Sequence, residues 1–457
     1  MGTGGNVYRV ALGSRVGDRF GHTVVMAPRS VMWFRRDLRL TDNPALAAAC
    51  ESGSVLPLFV LDPSFAGAGA PRQEMLASCV RELHRMTDGA LVVRHGDPTL
   101  VVPAVAAEVD AETVYVAKDF GPYGRRRDEL VATALSDAGR RLRGVGSPYA
   151  VEPGGVVKED GSGYSVFTPF ARRWRAQDWE PPLEQPGSPN WIEARSDAGL
   201  PAGSGELPLP AVNETEVIDE WRQFQLDGLD QYAARRDFPA ISGTSRLSPM
   251  LKFGVIHPRQ LLVDCDDRDE SHRTFQSELA WRDFYADVLY RRPSSAWANF
   301  DRRFDRLHVD TDGAARARFE RWCSGHTGFP IVDAGMRQLT ATGWMHNRVR
   351  MIVASFLVKD LHLPWQWGAR FFMTHLLDGD LASNSHGWQW AAGCGTDAAP
   401  FFRVFNPTTQ QERWDPDGEY VHRWIPELDT ADYPVPLVDH RAERIEALAR
   451  YEILKQR

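Results

Sequence analysis

An α/β domain followed by an all-helical domain is the fold class that the sequence predicts. Across residues 24–151, short apolar and β-branched runs alternate with longer amphipathic runs, which is typical of βαβ units. After Glu214, apolar residues recur at helical intervals and strand-like runs no longer occur. The chain has 457 residues, more than one hydrophobic core usually serves, so two domains are expected.

Strands and helices alternate in the predicted first domain. The strands are predicted over residues 30–34, 55–61, 90–94 and 113–117, and the helices over residues 43–51, 72–86, 98–109 and 124–138. Right-handed crossovers between parallel strands build a doubly wound, Rossmann-like sheet with helices on both faces. No G-x-G-x-x-G motif follows the first strand, where the basic run Arg35-Arg36-Asp37-Leu38-Arg39 stands instead. A conventional dinucleotide site is therefore not expected there.

The chain divides into four predicted segments. Residues 1–27 lack the apolar region of a secretory signal and are expected to be a disordered extension, with Met26 as an alternative start. Residues 28–155 form the α/β domain, and residues 156–213 form a linker rich in proline and glycine. Residues 214–457 form the helical domain, in which residues 331–357 follow a helical period that Gly343 interrupts.

Composition narrows the class of protein. The net charge of −8 argues only mildly against nucleic acid as a partner, because phosphate contacts depend on local Lys and Arg density. Five cysteines without a C-x-x-C pair favour a reducing cytoplasm over a disulfide framework or a zinc site. No run approaches the ~18 apolar residues of a membrane helix. A cytoplasmic, monomeric protein with no membrane partner is expected.

Glu278, Trp281 and Arg282 stand three and four residues apart in a predicted helix. That spacing places a carboxylate, an indole and a guanidinium on one helix face. The set suits a binding site, and it equally suits a solvated ion pair beside a core tryptophan.

Asn347 and Met351 form a second set, four residues apart and flanked by Arg348 and Arg350. An amide and a thioether on one face suit the edge of a planar, partly apolar ligand. An amphipathic helix with a buried methionine explains the same pattern.

The run from Asp378 to Trp390 is a third set. Asp378 and Asp380 flank Gly379, but no ordered series of further acidic ligands follows, so no metal site is expected. Hydrogen bonds to ring N–H groups or to Arg350 are the more natural use of these carboxylates. Trp388 and Trp390 should diverge, one toward the core and the other toward a cavity.

Residues 243–248 are a fourth set, rich in hydroxyl groups before a predicted helix. Thr244, Ser245 and Ser248 could surround a phosphate with hydroxyl and backbone N–H donors. A helix N-cap cluster is the simpler interpretation of this segment alone.

In this order and at this spacing, the four sets resemble the DNA photolyase and cryptochrome family, most closely its class I cyclobutane pyrimidine dimer photolyases. The resemblance extends over residues 31–428, is most specific at residues 344–351 and 378–390, and continues into Phe405-Asn406-Pro407-Thr408-Thr409-Gln410. It implies a helical domain that holds FAD in a folded form beside a cavity for a flipped-out dimer. The implied activity is light-dependent repair of UV-damaged DNA by electron transfer from reduced FAD.

The resemblance also implies roles for single residues. The FAD phosphates and ribityl chain would be surrounded by Tyr232, Thr244, Ser245, Arg246, Leu247 and Ser248. Arg350 would pair with Asp378 beside Gly379, Asp380 would hydrogen-bond the isoalloxazine edge, and Asn384 would lie by the flavin N5.

The substrate side of the site is implied in the same way. The dimer pocket would be formed by Glu278, Trp281, Asn347, Met351 and Trp390, and Arg282 would be a further contact to the substrate or the DNA. Arg236, Arg348 and Gln410 would hold the DNA backbone, and Glu278 would stabilise the dimer radical anion. Stacking on Trp281 and Trp390 would contribute ~1–3 kcal/mol per base.

An antenna chromophore and an electron relay complete the implied picture. Asp62, Arg72, Asp119 and Lys252 match the deazaflavin-binding subgroup better than the folate-binding one, although Gly121 replaces an acidic residue that is common there. The family reduces its flavin through three tryptophans, and Trp388 and Trp365 match the first two. No tryptophan stands near residues 307–309 as the third, and Trp322 or Trp297 are the candidates to replace it.

Three other functions compete with dimer repair. A cryptochrome-like blue-light receptor would use the same flavin, but little chain follows Trp424 for a signalling tail. A (6-4) photolyase would resemble a two-histidine pocket, where Asn347 and Met351 stand instead. A flavin-free DNA-binding module would leave the third set unexplained.

Overall fold

The computed structural model describes residues 28–455, except residues 186, 198, 204, 206, 266, 267 and 401. The predicted extension over residues 1–27 therefore lies outside the described residues. Within the described part of the chain, a five-stranded parallel sheet is followed by a helical domain. This architecture confirms the predicted fold class.

The first domain contains alternating strands and helices. The strands are β1 (Arg29–Phe34), β2 (Ser54–Leu61), β3 (Val92–His95), β4 (Thr113–Val116) and β5 (Arg141–Gly144). The helices are α1 (Pro44–Glu51), α2 (Ala70–Met86), α3 (Pro98–Glu108) and α4 (Pro122–Asp137). The strand order is β3-β2-β1-β4-β5, which is the doubly wound order with its switch point between β1 and β4.

Strand β5 was not among the predicted strands. Its four residues, Arg-Leu-Arg-Gly, pair with β4 from Arg141 opposite Thr113 to Gly144 opposite Val116, and they are largely exposed. Central strands such as β1 are buried on both faces and show a continuous apolar run. An exposed edge strand with charged residues carries no such signal.

The helical domain follows from residue 214 onward. Its helices are α6 (Glu214–Asp227), α7 (Tyr232–Arg235), α8 (Ser248–Phe253), α9 (Pro258–Leu262), α10 (Glu270–Arg291), α11 (Gly313–Cys323), α12 (Pro330–Thr342), α13 (Asn347–Ser355), α14 (Trp365–His375), α15 (Leu381–Ala392), α16 (Pro407–Trp414), α17 (Glu419–Trp424) and α18 (His440–Tyr451). Gly343 ends α12 with a φ of 68°, a left-handed conformation that glycine adopts without strain. The predicted break at Gly343 is thereby confirmed.

The predicted linker contains a helix that its composition does not suggest. Helix α5 (Phe167–Arg175) buries Phe170 and Trp174. The Trp174 Nε1–H donates to the Asp283 carboxylate of α10 at 2.9 Å, and Phe170 packs on Phe284 of the same helix. The proline-rich remainder lies against the first domain, where Trp191 forms a bridge with Val55 of β2.

Ion pairs and close backbone approaches join the two domains. Arg259 of α9 donates to the buried Asp42 carboxylate at 2.6 Å, and the carboxylate of Glu214 accepts from the backbone N–H groups of Leu40 and Thr41. Arg72 of α2 donates to the Met373 carbonyl at 2.7 and 3.1 Å. These contacts hold the carboxyl edge of the sheet against the helical domain. None of the helices over the described residues is long and apolar enough to cross a membrane.

Candidate active site

Three helices of the second domain bring the predicted site residues together. Helix α15 packs against both α10 and α13. The sequence sets on these helices are far apart in the chain, yet they share one region of the fold. The structure therefore brings together the first three sequence sets, and the fourth joins them through Ser248.

The Asp378 carboxylate is the centre of this region. It accepts from the Arg350 guanidinium at 3.2 Å (Nη1) and 2.8 Å (Nη2), and from the Ser248 hydroxyl at 2.7 Å. The Arg350 Nε–H donates to the Met345 carbonyl at 2.8 Å, which fixes the guanidinium plane. Gly379 follows at a crowded position, since an added Cβ would lie 3.1 Å from the Arg72 side chain. The predicted pairing of Arg350 with Asp378 is present.

The segment before α8 has the geometry of a polar turn. Arg246 adopts a φ of 53°, and its guanidinium lies 4.6 Å from the centre of the Trp344 ring. Thr244 and Ser245 are partly exposed, whereas Leu247 is buried beneath the turn. The side of the turn that carries Thr244 and Ser245 is thus partly open to solvent.

Tyr232 lies beneath the same region. Its buried ring packs edge-on against Phe275, and the Arg236 guanidinium lies 5.3 Å from the ring centre. Burial raises the pKa of the Tyr232 hydroxyl, and the nearby Glu278 carboxylate raises it further. The hydroxyl is therefore a neutral hydrogen-bond donor at physiological pH.

Helix α15 presents three of the predicted residues in turn. The Asn384 side-chain N–H donates to the Ala369 carbonyl at 2.9 Å, which fixes the orientation of the amide. Trp388 is 2% exposed in the core, whereas Trp390 is partly exposed, so the two indoles diverge as predicted. The Trp388 ring nearly touches the backbone of α14, because an added Cβ on Gly368 would lie 2.1 Å from it.

Asp380 faces the domain interface. One carboxylate oxygen caps α15 by accepting from Ala382 and Ser383. The other accepts from Arg36 at 2.9 Å and from Lys252 at 3.4 Å. Burial favours a raised pKa, but the Lys252 and Arg36 charges outweigh it and hold the pKa of Asp380 well below its usual range. The predicted bond from Asp380 to the isoalloxazine edge stays a prediction, because the structure shows this side chain already paired.

Glu278 and Trp281 lie on the exposed side of α10. The Glu278 carboxylate accepts from Arg236 at 2.5 Å and is 34% exposed. Trp281 stacks on Phe167 with ring centres 3.7 Å apart. The alternative of an ion pair between Glu278 and Arg282 is wrong, since the Arg282 guanidinium donates to the carbonyls of Pro148 and Leu251 at the domain interface.

Asn347 and Met351 lie on the first turns of α13. Asn347 is exposed and Met351 is partly exposed, so neither is the buried core residue that the alternative interpretation requires. Arg348 forms an ion pair with Asp237 at 2.7 Å and lies 4.6 Å from the centre of the Trp414 ring. Gln410 accepts from the Trp414 indole at 3.2 Å, which places it beside Arg348.

One of the predicted antenna residues, Lys252, lines a cavity between the domains. This cavity has a volume of about 60 Å³ and is also lined by Arg36, Tyr149 and Asp380. Burial lowers the pKa of Lys252 to about 8, and the Arg36 charge adds to this effect. Asp119 caps the turn at Gly121 by accepting from its backbone N–H. Such a cavity holds a few water molecules, not a three-ring chromophore.

Asp62 and Arg72, the other two predicted antenna residues, are not among the residues that line this cavity. Asp62 accepts from the Tyr123 hydroxyl, and Arg72 donates to the Met373 carbonyl.

The sequence did not predict four residues of this region: Arg36, Tyr149, Phe167 and Asp237. A basic run after β1 was the signal for Arg36, whereas nothing in the sequence pairs Asp237 with Arg348 or Phe167 with Trp281.

The residues at the site fit FAD. The indole Nε1–H of Trp388 is buried and has no hydrogen-bond partner among the described residues, which is a place for an acceptor from a bound group. The fixed amide of Asn384, one helical turn before Trp388, presents its carbonyl oxygen as an acceptor. Arg350 paired with Asp378, together with the partly exposed hydroxyl groups of Thr244 and Ser245, adds the polar contacts that a dinucleotide requires.

The fold and these residues define a two-domain protein whose helical half is a cofactor-binding domain. Residues 275–453 match the family model described as the FAD binding domain of DNA photolyase, and residues 30–187 match the model described as DNA photolyase. The chain belongs to the DNA photolyase family.

Known relatives match over nearly their whole length. A deoxyribodipyrimidine photo-lyase from Synechococcus sp. is 38% identical, over 94% of this chain and 98% of the relative. The Escherichia coli protein of the same name is 37% identical, over 93% and 99%.

Solved structures agree in fold. A class III photolyase from Agrobacterium tumefaciens superposes with a TM-score of 0.88 at 34% identity, covering 96% of this chain and all of that one. A cryptochrome from Synechocystis sp. gives 0.83 at 27% identity, covering 94% and 99%.

Proposed function

We propose that the protein repairs cyclobutane pyrimidine dimers in DNA, using light and reduced FAD. The observation that supports this most is the arrangement of partly exposed Trp281, Met351 and Trp390 with the polar groups of Glu278 and Asn347 on packed helices. Indole rings offer flat apolar faces on which nucleobases stack. Here they flank polar groups that suit the edges of pyrimidine rings.

The dimer would be recognised by stacking on aromatic rings and by hydrogen bonds to its polar edge. Trp281 is partly exposed and is held in place by stacking on Phe167, so a base that stacks on its exposed part would cost little further side-chain freedom. Stacking on such a ring contributes ~1–3 kcal/mol per base. A dimer is already poorly stacked in the duplex, so extruding it costs less than flipping a normal pair.

Asn347 and Glu278 would read the polar edge of the dimer. An amide donates to a carbonyl oxygen and accepts from a ring N–H, which is the pattern of a pyrimidine imide edge. The Glu278 carboxylate, paired with Arg236 at 2.5 Å, accepts from a ring N–H. The ionised Glu278 carboxylate can only accept hydrogen bonds, so the positive charge of the Arg236 guanidinium beside it would stabilise the negative charge that develops on the dimer.

Arginine side chains beside this site would hold the DNA backbone. Arg348 is restrained by Asp237 and by the Trp414 ring, and Arg236 is restrained by Glu278. A guanidinium fixed in this way loses little freedom when it binds a phosphate. Gln410 lies beside Arg348 and would add a neutral contact.

FAD would be held by Arg350, Asp378, Asn384 and the turn over residues 243–248. When bound, the photoexcited reduced flavin supplies one electron to the dimer and takes it back after the ring has opened. The Asn384 carbonyl oxygen, fixed by the Ala369 bond, suits a protonated ring nitrogen and would therefore favour the reduced flavin.

A second chromophore of the 8-hydroxy-5-deazaflavin type is the proposed occupant of the interdomain cavity, in preference to a folate. The cavity of about 60 Å³ would have to widen by movement of Lys252 or Tyr149. Chromophore extraction followed by absorption spectroscopy tests this, and a protein that yields FAD alone would remove the antenna from the proposal.

The repair assay uses an oligonucleotide with one thymine dimer, with the full-length protein in light and in darkness. Trp281→Ala and Asn347→Ala should each lower repair strongly, whereas Trp191→Phe, a partly exposed indole in the linker, should not. Repair that continues unchanged in both site variants would refute the pocket assignment. A protein that binds flavin and responds to light without repairing dimers would instead be a light sensor.

A further inference from the structure

Trp388 has an indole neighbour that the predicted relay did not place next to it. Its ring and that of Trp322 on α11 meet edge-on with centres 6.0 Å apart. No ring contact joins Trp388 to Trp365 among the described residues. Trp322 is 0% exposed and donates its indole N–H to the Val353 carbonyl at 3.1 Å.

Aromatic contacts continue from Trp322 to the surface. Phe319 stacks on Trp322 with ring centres 5.7 Å apart, and Trp367 meets Phe319 at 5.3 Å. Trp367 is partly exposed, near the start of α14. The Arg316 guanidinium lies 3.9 Å from the centre of its ring. A continuous path of rings thus leads from Trp388 to solvent.

We propose that Trp322 and Trp367 form the electron-entry path of this chain, with Trp367 as its surface end. The proposal rests on the proposed function only in requiring bound FAD. It accounts for the absence of a tryptophan at residues 307–309, where the implied third relay member would stand. Phe319 packs between the two indoles and is not itself oxidised.

The relay transfers one electron per photon toward the flavin. Trp388 gives one electron to the photoexcited flavin and is left as an indole radical cation. Trp322 then transfers one electron to the Trp388 radical cation, and Trp367 transfers one electron to Trp322. The radical cation thereby moves to the surface. Trp367 then releases its N–H proton to water, and a thiol restores it by donating one hydrogen atom. Two such thiols, each oxidised by one electron, combine as a disulfide.

The surroundings of the two indoles suit these different steps. Trp322 is enclosed and its N–H is bonded to a carbonyl, so its proton has no route to water and the deficit moves on. Trp367 reaches solvent, and the positive charge of Arg316 disfavours an indole radical cation beside it. Proton loss removes that repulsion, which favours the neutral radical and slows return of the electron.

Transient absorption of the flavin-loaded protein tests the path directly, because it detects the neutral tryptophan radical. Wild type, Trp322→Phe, Trp367→Phe, Trp365→Phe and Trp297→Phe are compared, with Trp191→Phe as the matched control. The expected result is that only Trp322→Phe and Trp367→Phe lose the long-lived radical. Trp365→Phe, Trp297→Phe and the control Trp191→Phe should keep it. Mass spectrometry after illumination without thiol should find indole oxidation at Trp367.

Two outcomes would overturn the proposal. The first is a radical of wild-type lifetime in Trp367→Phe, even if Trp322→Phe loses it, because the exit would then lie elsewhere. The second is a loss confined to Trp365→Phe or Trp297→Phe. Trp322 is fully buried, so Trp322→Phe could disturb folding. Trp367 is partly exposed, so Trp367→Phe should fold normally and still tests the path. Dimer repair by wild type with chemically reduced flavin tests the proposed function separately, since it requires no electron entry.

Discussion

Replacing Asp378 by Asn tests the polar centre of the candidate flavin site. The Asp378 carboxylate accepts three hydrogen bonds, two from Arg350 and one from Ser248. The Asp378 side chain is 5% exposed and that of Arg350 is 25% exposed. The substitution keeps the shape of the side chain, removes its charge and leaves Arg350 without its counter-ion.

The expected size of the effect lies between two limits. Breaking a fully buried ion pair by removing one partner costs ~3–5 kcal/mol, whereas exposed pairs contribute only ~0.2–1 kcal/mol. Because the carboxylate is buried and the guanidinium is partly exposed, we expect Asp378→Asn to lower the free energy of unfolding by about 2 kcal/mol. Ser248→Ala, which removes one hydrogen bond to a charged group, should cost about 1.5 kcal/mol or less.

Urea unfolding of the flavin-free protein at pH 7 measures these losses. Asp378→Asn, Arg350→Gln and the double variant form a cycle whose coupling free energy should be about 1–2 kcal/mol. Flavin content after purification should fall in the same variants. Losses that add within ~0.5 kcal/mol would refute the inferred coupling of the two side chains.

Three further predictions concern packing, pH and DNA contact. Gly368→Ala places a Cβ 2.1 Å from the Trp388 ring and should destabilise the protein by ~1–3 kcal/mol, whereas Gly387→Ala, with open space around it, should be neutral or stabilising; equal urea midpoints would contradict this. Burial lowers the pKa of His386 to about 4, so below the ordinary value of ~6.5 the unfolded chain binds more protons than the folded one. The free energy of unfolding should therefore fall as the pH drops from about 6.5 to about 4. His386→Gln should show a smaller fall, and an equal dependence of stability on pH in the variant and wild type would contradict this. Arg348→Gln should weaken binding to damaged and undamaged DNA alike and reduce the salt slope by about 1, with the exposed Arg441→Gln as control; a loss confined to damaged DNA would place Arg348 in the dimer pocket instead.

The sequence predicts the sheet well because burial leaves a strong signal. Strands β1 and β2 are enclosed on both faces and read as uninterrupted apolar runs. Strand β5 is short, basic and exposed, so its place is set by pairing with β4 rather than by its own residues. Helix α5 is hidden for another reason, since it lies in a segment dominated by proline and glycine.

The candidate site shows the same division. Local spacing correctly groups Glu278 with Trp281, and Asp378 with Asn384, because each set lies on or beside one helix. The partners are long-range and cannot be read from spacing: Arg236 reaches Glu278, and Arg36 reaches Asp380 across the domain interface. Arg282 satisfies the spacing rule with Glu278 yet serves the interface, because neighbouring backbone carbonyls compete for its guanidinium.

The central claim is that bound flavin and the rim of Trp281, Asn347 and Trp390 together act on a pyrimidine dimer. The most direct measurement is dimer loss per absorbed photon, with the flavin fully reduced, on an oligonucleotide with one thymine dimer. We expect restored thymines only under light, with a large loss of yield in Trp281→Ala and little loss in Trp191→Phe. Dimers that persist under light in a protein that contains reduced flavin would contradict it.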